Sequence, residues 1–220
     1  MKHLAVIAFA LAIGGCANHA NFEQPDSYKV IGDQFNQQTL YYEVRYSQPY
    51  PGVFNGNEQQ PMAPIDDIEL SVVSRKSLAN TKGIIDAHLP AGITTVQSRA
   101  LSDYIFDVEI TARRKQGPTA WDFEFLKSFG VGLLTFGLGP DYWDIIADFD
   151  VKYALIREDG SPVYSKSYNI SAAFDHRASP FDTLDPLYRA NRELYEQQLR
   201  KTLNSFFEGV EEQSLIQKES

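Results

Sequence analysis

The chain has 220 residues, 43% of them hydrophobic and 22% charged, with a formal net charge of −9. That length and mixture suit one sizeable globular domain and exclude a disordered or low-complexity chain. So acidic a balance also excludes a nucleic-acid binder, because neutralising phosphates takes clustered Lys and Arg.

A short basic start (Met1, Lys2, His3) leads into the apolar run Leu4 to Ile13, then Gly14, Gly15 and Cys16. This is the layout of a secretion signal, and the run is shorter than the roughly 20 apolar residues that span a bilayer. Ile13-Gly14-Gly15-Cys16 resembles the lipobox of bacterial lipoproteins. The resemblance implies that residues 1–15 are a signal peptide cut before Cys16. It implies further that the Cys16 sulfur receives a diacylglycerol and the new amine an acyl chain such as palmitate. Ala17, rather than Asp, after the cysteine implies sorting to the outer membrane with the domain facing the periplasm. A thiolate is the most nucleophilic side chain near neutral pH, so it suits lipid transfer. Cys16 is the sole cysteine, and acylating it leaves no free thiol for an oxidising compartment. Each buried CH₂ contributes about 0.8 kcal/mol, and more than one acyl chain gives stable anchoring. The excised segment holds one lysine and no acid, so the mature charge falls from −9 to −10. The lipid, not electrostatics, must then hold the chain to a membrane.

Residues 16–27 are polar and small and read as a lipidated tether, with His19 solvated. Residues 28–213 form one domain, and 214–220 a polar tail. Leu40, Tyr42, Val44 and Tyr46 alternate with Tyr41, Glu43 and Arg45, which predicts a half-buried strand over 39–46. Residues 47–66, rich in Pro, Gly, Asn and Gln, predict a long loop, disordered or functional. Residues 67–73 suggest a second strand. Leu78, Ile84, Ile85 and Leu89 could line one side of a short helix that ends at Leu89-Pro90-Ala91-Gly92. Strict alternation predicts strands over 103–112 and 148–156, and Glu158-Asp159-Gly160-Ser161 signals a hairpin turn with 163–170 as its return strand. Asp185 and Pro186 open a long amphipathic helix to about Glu212, its apolar face carried by Leu187, Leu194, Leu199, Leu203, Phe206 and Val210. The fold class is α/β of the α+β kind: a mostly antiparallel sheet packed against a C-terminal amphipathic helix.

Between the two best strands, Phe129, Val131, Leu133, Leu134, Phe136 and Leu138 interleave with Gly130, Gly132, Gly137 and Gly139. The glycines miss GxGxxG spacing and no P-loop lysine follows, so this is no nucleotide loop. Two readings stand. The plainer is a buried connector, where glycine lets backbones approach closely. The sharper is an exposed apolar flap that meets a membrane or a partner, flanked by Trp121, Tyr142 and Trp143.

Histidines at 3, 19, 88 and 176 have no metal spacing, and no GxSxG, HExxH or triad pattern appears. His88 and His176 read as surface or structural residues. Asp148 and Asp150 share one face of a strand; they could form a carboxylate pair or cation site, and read more readily as a solvated charged face balanced across strands by Lys152, Lys166 or Arg113. No cofactor beyond the lipid on Cys16, no metal and no catalytic residue is expected. SDYIFDVEIT, DFDVKYALIREDGSPVYSKSY and LYRANRELYEQQLRKTLNSFFE together resemble the YajG-like proteins and the ABC-type transport auxiliary lipoproteins of the periplasm. That resemblance implies a strand, a hairpin with a D-G turn and a closing helix over about half of the mature chain. The expected function is non-enzymatic: an outer-membrane lipoprotein whose domain binds an envelope partner in assembly, transport or envelope maintenance. The alternative is a carrier of an apolar ligand or lipid, with the flap and the closing helix lining its pocket.

Overall fold

In the computed structural model, residues 19–30, 35–135, 139–179 and 181–219 are described. Cys16, Phe136 and Leu138, with the whole signal segment, lie outside them. Among the described residues the chain builds one seven-stranded sheet. Strand β1 (Thr39–Ser47) is a nine-residue strand whose Leu40, Val44 and Tyr46 point into the core. It runs parallel to β4 (Tyr104–Ala112). The two-residue strands β2 (Ala63–Pro64) and β3 (Thr94–Thr95) also pair with β1. The centre is a long hairpin of β6 (Asp141–Arg157) and β7 (Pro162–Ala178), each 17 residues. Its turn closes with Asp159 accepting from the Ser161 N–H at 2.8 Å and Gly160 at φ +82°, a left-handed backbone that glycine takes without strain.

Residues 149–157 of β6 pair with β4, and residues 143–147 pair with β5 (Thr119–Phe123), both antiparallel. The opposite edge of β6 is taken by β7 along its length. β4 and β5 therefore follow one another along a single row. The hairpin turn marks one end of the sheet, and the start of β6 marks the other.

One face of the sheet is apolar and covered. Ile145, Ala147, Phe149, Val151, Tyr153 and Leu155 alternate inward along β6, each fully buried. Against them lies the last helix, here labelled α4 (Asp185–Glu219), through Leu187, Leu194, Leu199, Leu203, Phe206 and Val210, all buried as the periodicity predicts. At about 1.5 Å per residue its 35 residues extend past Glu212, so the expected polar tail is helical backbone. The other face carries the charges. Arg113 reaches Asp148 at 2.7 Å and Asp150 at 2.5 Å, and Glu109 takes Arg45 at 3.1 Å and Lys152 at 3.4 Å. Asp148 and Asp150 are thus paired across strands as expected, by Arg113. Lys166 instead donates to Ser205 Oγ on the helix side.

Three expectations are corrected. Residues 67–73 form no strand. A 3-10 turn (Ile65–Asp67) is followed by helix α1 (Val72–Leu78), started by Ser71, whose Oγ accepts from the Ser74 N–H at 3.0 Å; this cap outweighs the β-branched pair Val72-Val73. Helix α2 (Thr81–His88) follows, burying Ile84 and Ile85 and ending before Pro90 as predicted. The 47–66 loop is held in place by two amides. The Gln48 side chain accepts from Tyr46 Oη at 3.0 Å and from Ser74 Oγ, while Gln60 gives its Nε2 hydrogen to the Glu69 carbonyl at 2.9 Å. Buried amides so satisfied order the loop that carries them.

The third correction concerns the tether. Residues 19–30 lie docked along α4 and the end of β7. Phe22 is buried, edge-to-face on Phe174 at 5.0 Å. Gln24 donates to the Glu193 carbonyl at 2.9 Å, Gln197 to the Glu23 carbonyl at 2.8 Å, and Asn204 to the Asp26 carbonyl at 2.8 Å. Amide-to-carbonyl bonds of this kind hold the polar residues between the buried Phe22 and Val30.

Candidate functional site

At the end of the sheet away from the hairpin turn, β5 leads into helix α3 (Phe125–Leu134). Two bonds pin it to the first strand turn of β6: the Glu124 N–H donates to the Tyr142 carbonyl at 3.0 Å, and the Tyr142 N–H to Ser128 Oγ at 2.9 Å. Ser128 is the residue α3 buries. A Cβ on Gly139 would meet Val131 Cγ1 and Thr135 Oγ1 at 2.6 Å, so a side chain there would have to push both aside. Residues 125–134 of the glycine-rich segment are therefore a helix fixed at the rim of the sheet. For the described residues the buried-connector reading does not hold.

Phe125, Leu126, Phe129, Leu133 and Leu134 are between 54% and 85% exposed. At about 100° per residue they share one half of the helix surface, and Phe125 and Phe129 stack at 5.6 Å. Exposed apolar stretches of this kind mark contact sites. The site residues expected from the sequence divide as follows. Phe129, Leu133 and Leu134 lie on the exposed face. Tyr142 and Trp143 are half-buried at its base, Trp143 against Phe123 at 4.7 Å. Trp121 lies apart from α3: half-buried, it sits edge-on to Tyr188 of α4 at 5.0 Å. Phe125 and Leu126 were missed by the sequence reading, and only a helical wheel over 125–134 would have joined them to Phe129.

A polar cluster flanks the apolar face of α3. Lys127 bridges Glu124 at 2.8 Å and Asp175 at 3.5 Å, and its ammonium lies 4.7 Å from the Tyr142 ring. Asp144 completes a trio of carboxylates whose oxygens lie within 4.8 Å of one another. Burial pushes the Asp144 carboxyl above its ordinary range, and the charges of Glu124 and Asp175 add to the effect. Three oxygens could ligate a hard cation, but here the Lys127 ammonium supplies the counter-charge.

Beside this rim the N-terminal segment is bolted on. The Ala20 N–H donates to His176 Nδ1 at 3.0 Å, and His19 lies with its ring 5.1 Å from that of His176. His19 Nε2 is 3.8 Å from Asp182. His19 is thus packed, not solvated, and His176 and His88 are buried structural residues, His88 donating from Nδ1 to the Ile84 carbonyl at 2.7 Å. Burial depresses the His176 pKa, with His19 and Arg189 adding to the depression and Asp182 opposing it. A histidine depressed in the folded state contributes fully above its unfolded value of about 6.5 and loses that contribution as pH falls below it, where the unfolded chain binds the extra proton. Thermal stability is therefore expected to fall between pH 7 and 5, and His176→Gln should flatten that slope. An unchanged slope in the variant would show that His176 does not carry it.

No protein-family model matches the chain. No curated protein matches it either. Among solved structures it is similar to a Xanthomonas campestris protein of the DUF330 family, at 13% identity over 91% of this chain and 100% of that one, with a TM-score of 0.38. It is also similar to a neuraminyllactose-binding hemagglutinin homolog from Helicobacter pylori, at 9% identity over 88% of this chain and 99% of that one, with a TM-score of 0.41.

Proposed function

We propose that the chain is a lipoprotein of a bacterial envelope, acylated at Cys16 and sorted to the outer membrane. Its folded domain works by binding an envelope partner, in assembly, transport or maintenance, and not by catalysis. The observation that carries the reading is α3, a helix with five large apolar side chains left exposed. The lipobox-like Ile13-Gly14-Gly15-Cys16 supports the anchor. The likeness of the strand, hairpin and closing helix to YajG-like and ABC-type transport auxiliary lipoproteins agrees with it. Among the described residues no helix is long and apolar enough to cross a membrane, so the acyl chains are the attachment this reading needs.

The carrier alternative requires α3 and α4 to line one pocket. The two helices lie at different places on the sheet, and the space under α4 is filled by Phe106, Tyr153, Phe206 and Phe207. The apolar cleft at Ile65, Leu70 and Leu78 holds about 250 Å³, below the roughly 300–1,000 Å³ of ligand pockets.

A photoreactive residue at Leu134, introduced in living cells, tests the contact. It should yield adducts with an envelope component that the same residue at Leu101, exposed near the hairpin-turn end, does not give. Equal adducts at both positions would overturn the reading.

A further inference from the structure

α3 offers an apolar face, and the route of the N-terminal segment says what lies against it. The segment runs along α4 and reaches the sheet at His176, where the Ala20 N–H is bonded. His176 stands opposite Trp143, and Asp175 beside it is the residue that Lys127 of α3 reaches at 3.5 Å. The chain therefore leaves the domain toward Cys16 at the same end of the sheet that bears α3. Three residue steps separate His19 from Cys16, and a fully extended chain covers at most about 3.6 Å per step. Cys16 lies within about 11 Å of His19, using that same limit. Acyl chains on its sulfur would bring this end of the domain, apolar helix included, down onto the bilayer.

From this we infer that α3 lies in the headgroup region of the membrane that holds the Cys16 acyl chains, so that the domain is seated at two points in one orientation. The inference rests on the proposed anchor, departs from the partner reading at α3 itself, and commits to lipid as what that helix touches. The helix has the form such a seat needs. Its ten residues are too few to span a bilayer but can lie in its plane with an apolar face down. Glu124 and Lys127 flank that face, and Tyr142 and Trp143, rings of the amphipathic kind favoured at membrane interfaces, stand at its base. Tyr142 has a cation on either flank, Lys127 at 4.7 Å and Arg177 at 5.3 Å. The attraction is apolar, since a chain of charge −10 would be repelled by anionic lipid. A protein groove that received α3 would have to reach it between the domain and the membrane.

The mature lipidated chain carries its one thiol as a thioether, so a nitroxide on Leu134→Cys reports α3 alone. The protein is reconstituted in phosphatidylcholine vesicles, with Leu101→Cys as the aqueous reference and Leu126→Cys as a second site on the same face. The expected result is cosedimentation, with labels at Leu134 and Leu126 several-fold less accessible to an aqueous nickel chelate than the label at Leu101, yet open to oxygen. Cosedimentation with equal chelate access at all three sites overturns the seat and leaves the anchor standing. Failure to cosediment overturns both. Spin–spin broadening at Leu134 would mean that a second copy covers α3, and adducts in cells with protein alone would mean a protein groove; either result overturns the inference.

Discussion

Replacing Phe206 by alanine is expected to cost about 3–5 kcal/mol of folding stability. Its ring is fully buried and lies 5.4 Å from Phe106, 5.3 Å from Tyr153, 5.2 Å from Tyr164 and 5.3 Å from Phe207. It is the point where α4 meets β4, β6 and β7 together, so no single neighbour can move to fill the space. For a domain of this size each kcal/mol lowers Tm by about 2–4 °C, giving a fall of about 6–20 °C. Folded domains hold a total of about 5–15 kcal/mol, so the variant should be marginal at physiological temperature. Glu208→Ala, exposed on the same helix, should stay within about 0.5 kcal/mol of the parent. Circular dichroism melts distinguish the two. A Phe206→Ala loss below about 1 kcal/mol would mean that α4 does not close the core as described.

On the proposed anchor, Cys16→Ser is expected to abolish lipidation. A serine hydroxyl remains protonated at neutral pH and cannot replace a thiolate as the attacking group. The product should keep its 15-residue leader and take up no labelled palmitate. The domain's melting curve should be unchanged, since the docked residues described, from His19 onward, lie beyond the substitution. Uptake of label by the serine variant, or a mature-sized product, would remove the basis for the anchor.

What could be read from the sequence depended on which force builds each element. β1, β4, β6 and α4 bury one face each, and apolar periodicity exposes them: Phe106 and Val108, Phe149 to Leu155, and Leu194 to Val210 all fall where it puts them. The hairpin was legible because Asp159-Gly160 has a local turn chemistry. The elements that misled are built by polar bonds. α1 begins at a serine cap, the 47–66 loop is set by Gln48 and Gln60, and residues 19–30 are held by the amides of Gln24, Gln197 and Asn204. Such bonds leave no period in the sequence. β5 was invisible for another reason: five residues (Thr119–Phe123) are too few to show alternation, and the strand exists because β6 offers it an edge.

The candidate surface was half legible. Phe129, Leu133 and Leu134 stood out by hydropathy, but glycines at 130 and 132 argued against a helix, each costing about 1 kcal/mol in its interior. The bonds from Glu124 and Ser128 to Tyr142 hold the helix against that cost. Those bonds join residues 14 to 18 positions apart in sequence, beyond the reach of local patterns.

The strap formed by residues 19–30 joins the earliest-made part of the domain to the last. Its partners, Glu193, Gln197 and Asn204, stand some 170 to 180 positions downstream, so ribosomes must finish nearly the whole polypeptide before the knot can be tied. Contacts of such long sequence separation slow the search for the native state. A nascent chain that cannot close early stays threadable, which the proposed export would require.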